Sequence, residues 1–86
     1  MKLRIIAIPQ ETATVIQING QLRAEGITEL ERLCAAAHPP LVLDLACLRS
    51  LDSRGVEALN KLTREGARVI EASPYIELLL SRSRRR

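Results

Sequence analysis

The chain reads as a small α/β domain: a mixed, mostly parallel four-stranded sheet in the order ββαβαβα, covered by helices. Three observations carry this reading. Short β-rich runs alternate with segments whose apolar residues recur at helical spacing. Pro39-Pro40, Gly66 and Ser73-Pro74 separate one element from the next. The 86 residues leave room for one domain only. Residues 1–81 are assigned to it, and the arginine-rich 82–86 to a disordered basic tail.

The elements follow in order. Residues 3–8 (LRIIAI) and 13–18 (ATVIQI) are β-rich and four residues apart, the spacing of an antiparallel hairpin. The second run alternates apolar Val15 with polar Thr14 and Gln17, and Asn19-Gly20 is expected to break it. From Ala24 to Ala37 the period becomes helical, with Ile27, Leu30, Leu33, Cys34 and Ala37 on one side. Thr28 and Glu31 offer a capping box, and Pro39-Pro40 ends the helix. LVLDL at 41–45 reads as a central strand buried on both faces. ACLRSL is then a loop, anchored to the core by Leu48 and Leu51. Asp52 caps the next helix, whose buried stripe is Val56, Leu59, Leu62 and Gly66, with Gly66 as its stop. Residues 67–72 (ARVIEA) form the last strand. Ser73 and Pro74 start a final helix in which Tyr75, Ile76, Leu79 and Leu80 share one side and Leu78 lies off it.

Composition narrows the function. No apolar run is long enough to span a bilayer, and the N-terminal apolar stretch is cut by Pro9 without a cleavage motif, so a cytoplasmic location is expected. The formal charge of +3 comes from the tail: without Arg82, Arg84, Arg85 and Arg86, nine bases face ten acids. Tyr75 is the sole aromatic, which leaves no platform for stacking bases. A nucleic-acid role would rest on the tail alone, and none is expected. Cys34 and Cys47 lie among apolar residues, and with His38 they match no zinc-ligand spacing. No phosphate-binding glycine loop or other cofactor motif is present, so no cofactor and no metal are expected. An enzyme would have to be built from Asp44, Asp52 and His38, a set that nothing in the spacing brings together. Asp44 suits a loop-amide acceptor, and His38 sits where a helix dipole ends.

The informative stretch is Asp44 to Gly55. With Asp52 as the cap, Ser53 falls in the first helical turn, exposed beside free amides and the positive end of the helix dipole. A phosphate there adds about −1.5 to −2 charge without opposing the fold, and a bound partner would feel it as repulsion.

These residues carry a resemblance. The strand followed by Asp44-Leu45, Leu48 and Leu51-Asp52-Ser53-x-Gly55, with the helix after it, resembles the STAS domain of bacterial anti-sigma factor antagonists. Asn19-Gly20-Gln21-Leu22 is similar to that family's Gly-x-Leu turn. The resemblance implies a non-enzymatic protein-binding module for transcription regulation. In it Ser53 is the residue phosphorylated by a partner kinase that is itself the anti-sigma factor. It places the partner surface on Gly20, Leu22, Arg23, Asp52, Ser53, Arg54, Gly55, Glu57 and Asn60. Gly55 would permit close approach of a partner backbone, and Glu57 and Asn60 would make contacts. Arg23 stands where the family usually has an acid, and Arg54 where a small residue is common. The same resemblance admits a constitutive subunit of a lipid-transport ATP-binding-cassette complex, clamping its ATPase. A weak homodimer is also compatible with the sequence.

Overall fold

The computed structural model describes residues 3–84. Arg85 and Arg86 of the expected basic tail lie outside them, while the final helix runs on through Arg84. Strands β1 (Arg4–Pro9) and β2 (Thr14–Leu22) form the expected antiparallel hairpin, pairing Pro9 with Thr14 across the four-residue turn. A 3-10 turn at Ala24–Gly26 leads into α1 (Ile27–Ala36). Then come β3 (Leu41–Asp44), β4 (Leu48–Leu51), α2 (Ser53–Arg64), β5 (Arg68–Ile70) and α3 (Pro74–Arg84).

The sheet has five strands, one more than expected. Its main path is β1-β2-β3-β5, with β4 pairing the far end of β2, and every pairing except the hairpin is parallel. The extra strand is Leu48–Leu51, expected as loop, and the cause lies in β2. Asn19-Gly20 does not end that strand. Gly20, at φ 99°, takes a conformation that costs glycine little, and the register against β4 shifts between Gly20 and Gln21. The unpaired extra residue is Arg49 of β4, and β2 itself carries on past Gly20 and changes partner from β3 to β4. Leu48 and Leu51 do anchor the segment, Leu48 inside the core and Leu51 against it.

The core is a single cluster between one sheet face and the three helices. Ile16, Ile18, Leu22, Leu43 and Leu45 from the strand side meet Leu30, Leu59, Ile76 and Leu80 from the helices, all of them 2% exposed or less. The alternation within β2 is the reverse of the one expected from Val15. Thr14 faces inward, its hydroxyl donating to the His38 carbonyl at 2.9 Å, while Val15 and Gln17 face outward. In β3, only Leu41 and Leu43 point to the core; Val42 and Asp44 lie on the other face, half-exposed, so the strand is covered on one face rather than two.

Helix ends follow local chemistry. The Thr28–Glu31 box does not cap α1: the 3-10 turn at Ala24–Gly26 runs straight into the helix, which starts from Gly26 with no side-chain cap, so Thr28 already lies inside its first turn. α2 stops at Gly66 as expected: the Ala67 amide donates to the Leu62 carbonyl and the Gly66 amide to that of Thr63, with Gly66 at φ 111°. Ser73 caps α3, its Oγ accepting from the Ile76 amide at 3.3 Å. Tyr75 does not join Ile76, Leu79 and Leu80 on the buried side. It is 55% exposed, as is Leu78, because the buried stripe of α3 is only wide enough for Ile76 and Leu80 with Leu79 at its margin.

Candidate functional site

The end of β2 and the start of α2 are joined by one side chain. Asp52 Oδ1 accepts from the Gly55 amide at 2.9 Å and caps α2. Its other oxygen, Oδ2, accepts from the Ala24 amide at 3.0 Å, twenty-eight residues away in sequence. The backbone adds a third tie, the Asp52 amide donating to the Leu22 carbonyl at 3.2 Å. The turn after β2 and the first turn of α2 are thereby clasped into one surface. The Gly55 amide foremost holds the Asp52 carboxyl below the usual carboxylate range; burial, next in size, opposes it, and the Ala24 amide, the Arg23 charge and the Arg54 amide add to the lowering.

On this surface Arg23, Ser53, Arg54 and Glu57 are exposed. Ser53 is the first residue of α2, with its side chain in solvent beside the helix's free amides. Arg54 and Glu57 line a cleft of about 320 Å³ between α1 and α2, closed on the other side by Ala24 and Ile27. A second, more apolar hollow of about 380 Å³ shares Glu31, Ala58 and Lys61 with it and reaches Leu30, Cys34 and Leu62. The α1–α2 seam is therefore a groove that opens beside Ser53.

The remaining site residues from the sequence have structural surroundings. Leu22 is fully buried in the core, and Gly20 is buried where β2 changes partner. Gly55 faces inward: a Cβ there would stand 2.5 Å from the Leu22 carbonyl oxygen, so the backbone that approaches it is the chain's own. Asn60 is 4% exposed, and its Nδ2 donates to the Leu80 carbonyl at 3.3 Å, tying α2 to α3. Its helical position shared a face with Glu57 on spacing alone; only the placement of α3 shows which side is covered. Sequence reading missed Ala24, a partner through its backbone, which no side-chain pattern signals.

Asp44, Asp52 and His38 do not converge. The Asp44 carboxylate accepts from the Ala46 amide at 3.0 Å, as a loop acceptor should. His38 meets Thr14 at one end of β2 and Asp52 meets Leu22 at the other, eight residues or about 26 Å of strand apart. Cys34 and Cys47 are free thiols; partial burial, with Glu31 nearby, pushes the Cys34 thiol up. Among the described residues no group of His, Cys, Asp and Glu is placed to hold a metal, and no helix is long and apolar enough to cross a membrane.

Solved structures supply the comparison. The STAS domain of an anti-sigma-factor antagonist from Rhodobacter sphaeroides superposes with a TM-score of 0.59 at 22% identity, over 84% of this chain and 92% of its own. The anti-sigma factor antagonist SpoIIAA, in its unphosphorylated form, superposes with a TM-score of 0.68 at 16% identity, over 95% of this chain and 80% of its own. The chain has the STAS fold. At these identities the likeness is one of architecture, and it covers the STAS element order from the hairpin to the last helix. No family model matches the sequence, and no curated protein matches it.

Proposed function

We propose that this STAS-fold protein is a regulatory protein-binding module, an anti-sigma factor antagonist or a close functional counterpart. In this reading it engages a partner anti-sigma kinase through the Arg23–Ser53–Glu57 surface and is released when Ser53 is phosphorylated. The observation that supports this most is the exposure of Ser53 at the first turn of α2, on a surface that Asp52 clasps to the turn after β2. A rigid surface presents one geometry to a partner, and a phosphate on it acts on the partner without loosening the carrier. Structural neighbours described as anti-sigma factor antagonists favour the same role.

Arg54 follows Ser53 in the first turn of α2, and Arg23 stands in the segment that Asp52 clasps to that turn, so both guanidinium groups share the face that a Ser53 phosphate would occupy. The test is capture of partners by the tagged protein, with wild type beside Ser53→Asp and with phosphosite mapping of the recovered chain. A serine kinase retained by wild type but lost with the Ser53→Asp variant, together with phosphate on Ser53, supports the proposal. A transport ATPase recovered equally with both, and no phosphate, would replace it with the constitutive-subunit reading.

A further inference from the structure

The helices cover one face of the sheet, and the opposite face is too apolar for a solvated one. Ile6 and Ile8 of β1, Val15 of β2, Val42 of β3 and Ile70 of β5 alternate away from the core; all are half-buried, and none packs against the core cluster. Parallel sheets are nearly always covered on both faces, and a sheet with one wet face carries polar residues there. Here β-branched side chains take nearly half of the outward positions. The sequence is patterned for a sheet buried on two sides, and the fold buries one.

Strand register lays these side chains out in two rows. Ile8, Val15, Val42 and Arg68 are lateral neighbours in one row; Ile6, Gln17, Asp44 and Ile70 form the next. A two-fold axis parallel to the strands, between β2 and β3, brings Val15 of one copy over Val42 of the other and Ile6 over Ile70. It sets Gln17, a donor, over Asp44, an acceptor. Arg68 falls over Ile8 at the rim, where its stem lies on the isoleucine and its head reaches water. The alternative axis, across the strands, sets Ile8 on Ile6 at one edge but stacks Val15 on Gln17 and Val42 on Asp44, which leaves both central valines against polar groups.

We propose that the open face of the sheet is a self-association surface whose occupant is a second copy of this chain, packed sheet on sheet about this two-fold. The face is about 19 Å wide, four strands at ~4.8 Å spacing. It offers on the order of 300 Å² per copy, below the ~1,200–2,000 Å² total of a stable interface. The dimer is therefore weak and reversible, with a Kd of about 10⁻⁴–10⁻³ M. This surface is separate from the one that carries Ser53, and the inference stands or falls without it.

Sedimentation equilibrium of the full chain up to ~1 mM, about the upper end of that Kd range, reads the association directly. Monomer–dimer behaviour is expected. The double variant Val15→Thr with Val42→Thr keeps the β-branched shape and strand preference, and unchanged far-UV circular dichroism and melting confirm its fold. It sets hydroxyls at the apolar centre of both copies, and a rise in Kd of about tenfold or more is expected. Concentration-dependent amide shifts should fall on Val15, Gln17, Val42 and Asp44, and leave Ala58 and Lys61 in the helix groove unmoved. A monomer at every concentration, a dimer indifferent to the double variant, or shifts confined to the helices would each overturn the proposal.

Discussion

At Gly55 two general expectations have opposite signs. Alanine in place of glycine inside a helix stabilises by about 0.5–1 kcal/mol, because it restricts the unfolded chain. A Cβ on Gly55, however, stands 2.5 Å from the Leu22 carbonyl oxygen, 3.3 Å from its carbon and 3.1 Å from Leu51 Cδ2. The nearest atom is backbone at the end of β2, and it already accepts the Asp52 amide. It cannot rotate aside as a side chain would, so α2 has to move off β2 by several tenths of an ångström or more. Overpacking of this kind costs about 1–3 kcal/mol, which exceeds the helix gain. Gly55→Ala is therefore expected to destabilise by about 1–2 kcal/mol net, a fall in Tm of about 4–16 °C for a domain this size. Urea and thermal unfolding followed by circular dichroism measure it. Amide exchange at Ala24 and Asp52 should quicken together, because the shift pulls on the clasp. A Gly55→Ala protein as stable as wild type, or more so, would show that this contact does not fix how α2 sits on the sheet.

Asp52→Ala removes the cap and the tie to Ala24 together, and a loss of about 1–2 kcal/mol in urea unfolding is expected. The pH dependence has a definite sign. Because the folded protein holds this carboxyl below its unfolded value of about 4, its contribution is fully present above that pH and is lost as pH falls through the folded value. Asp52→Asn should flatten that acid limb of the stability curve, and a limb of unchanged slope counts against the assignment. Glu71 sits at φ 61° without being glycine; Glu71→Gly relieves about 1–2 kcal/mol of backbone cost and adds about 0.5–1 kcal/mol of unfolded entropy. A rise in Tm is expected, and a fall would mean that the Glu71 side chain stabilises the turn. Leu59 is fully buried where α2 meets the sheet, so Leu59→Ala is expected to cost about 2–5 kcal/mol in the same unfolding assay.

Much of the site was legible locally. Asp52 as cap and Ser53 exposed behind it follow from residue type and helix start, since a cap depends on amides within three residues. Gly66 as a stop and Ser73-Pro74 as a start are equally local. Asn60 and Gly55 were not legible as buried, because helical period says which residues share a face and not which neighbour covers it. The second role of Asp52, on the Ala24 amide, joins residues far apart in the chain and exists only once β2 and α2 lie side by side.

Residue order alone dictates the alternation of strands and helices, the antiparallel hairpin at the sheet edge, and the exposed serine behind an aspartate cap. Each rests on interactions that close within a few residues. Other features arise only when distant segments pack. Leu48–Leu51 becomes a fifth strand because β2 runs on through Gly20 past the end of β3, which gives its far end a free edge to pair. All three helices lie against one face, although LVLDL is apolar enough to be buried on two. A strand's pattern records how much surface it must hide; only the packing of the whole chain determines which part is hidden within the same molecule.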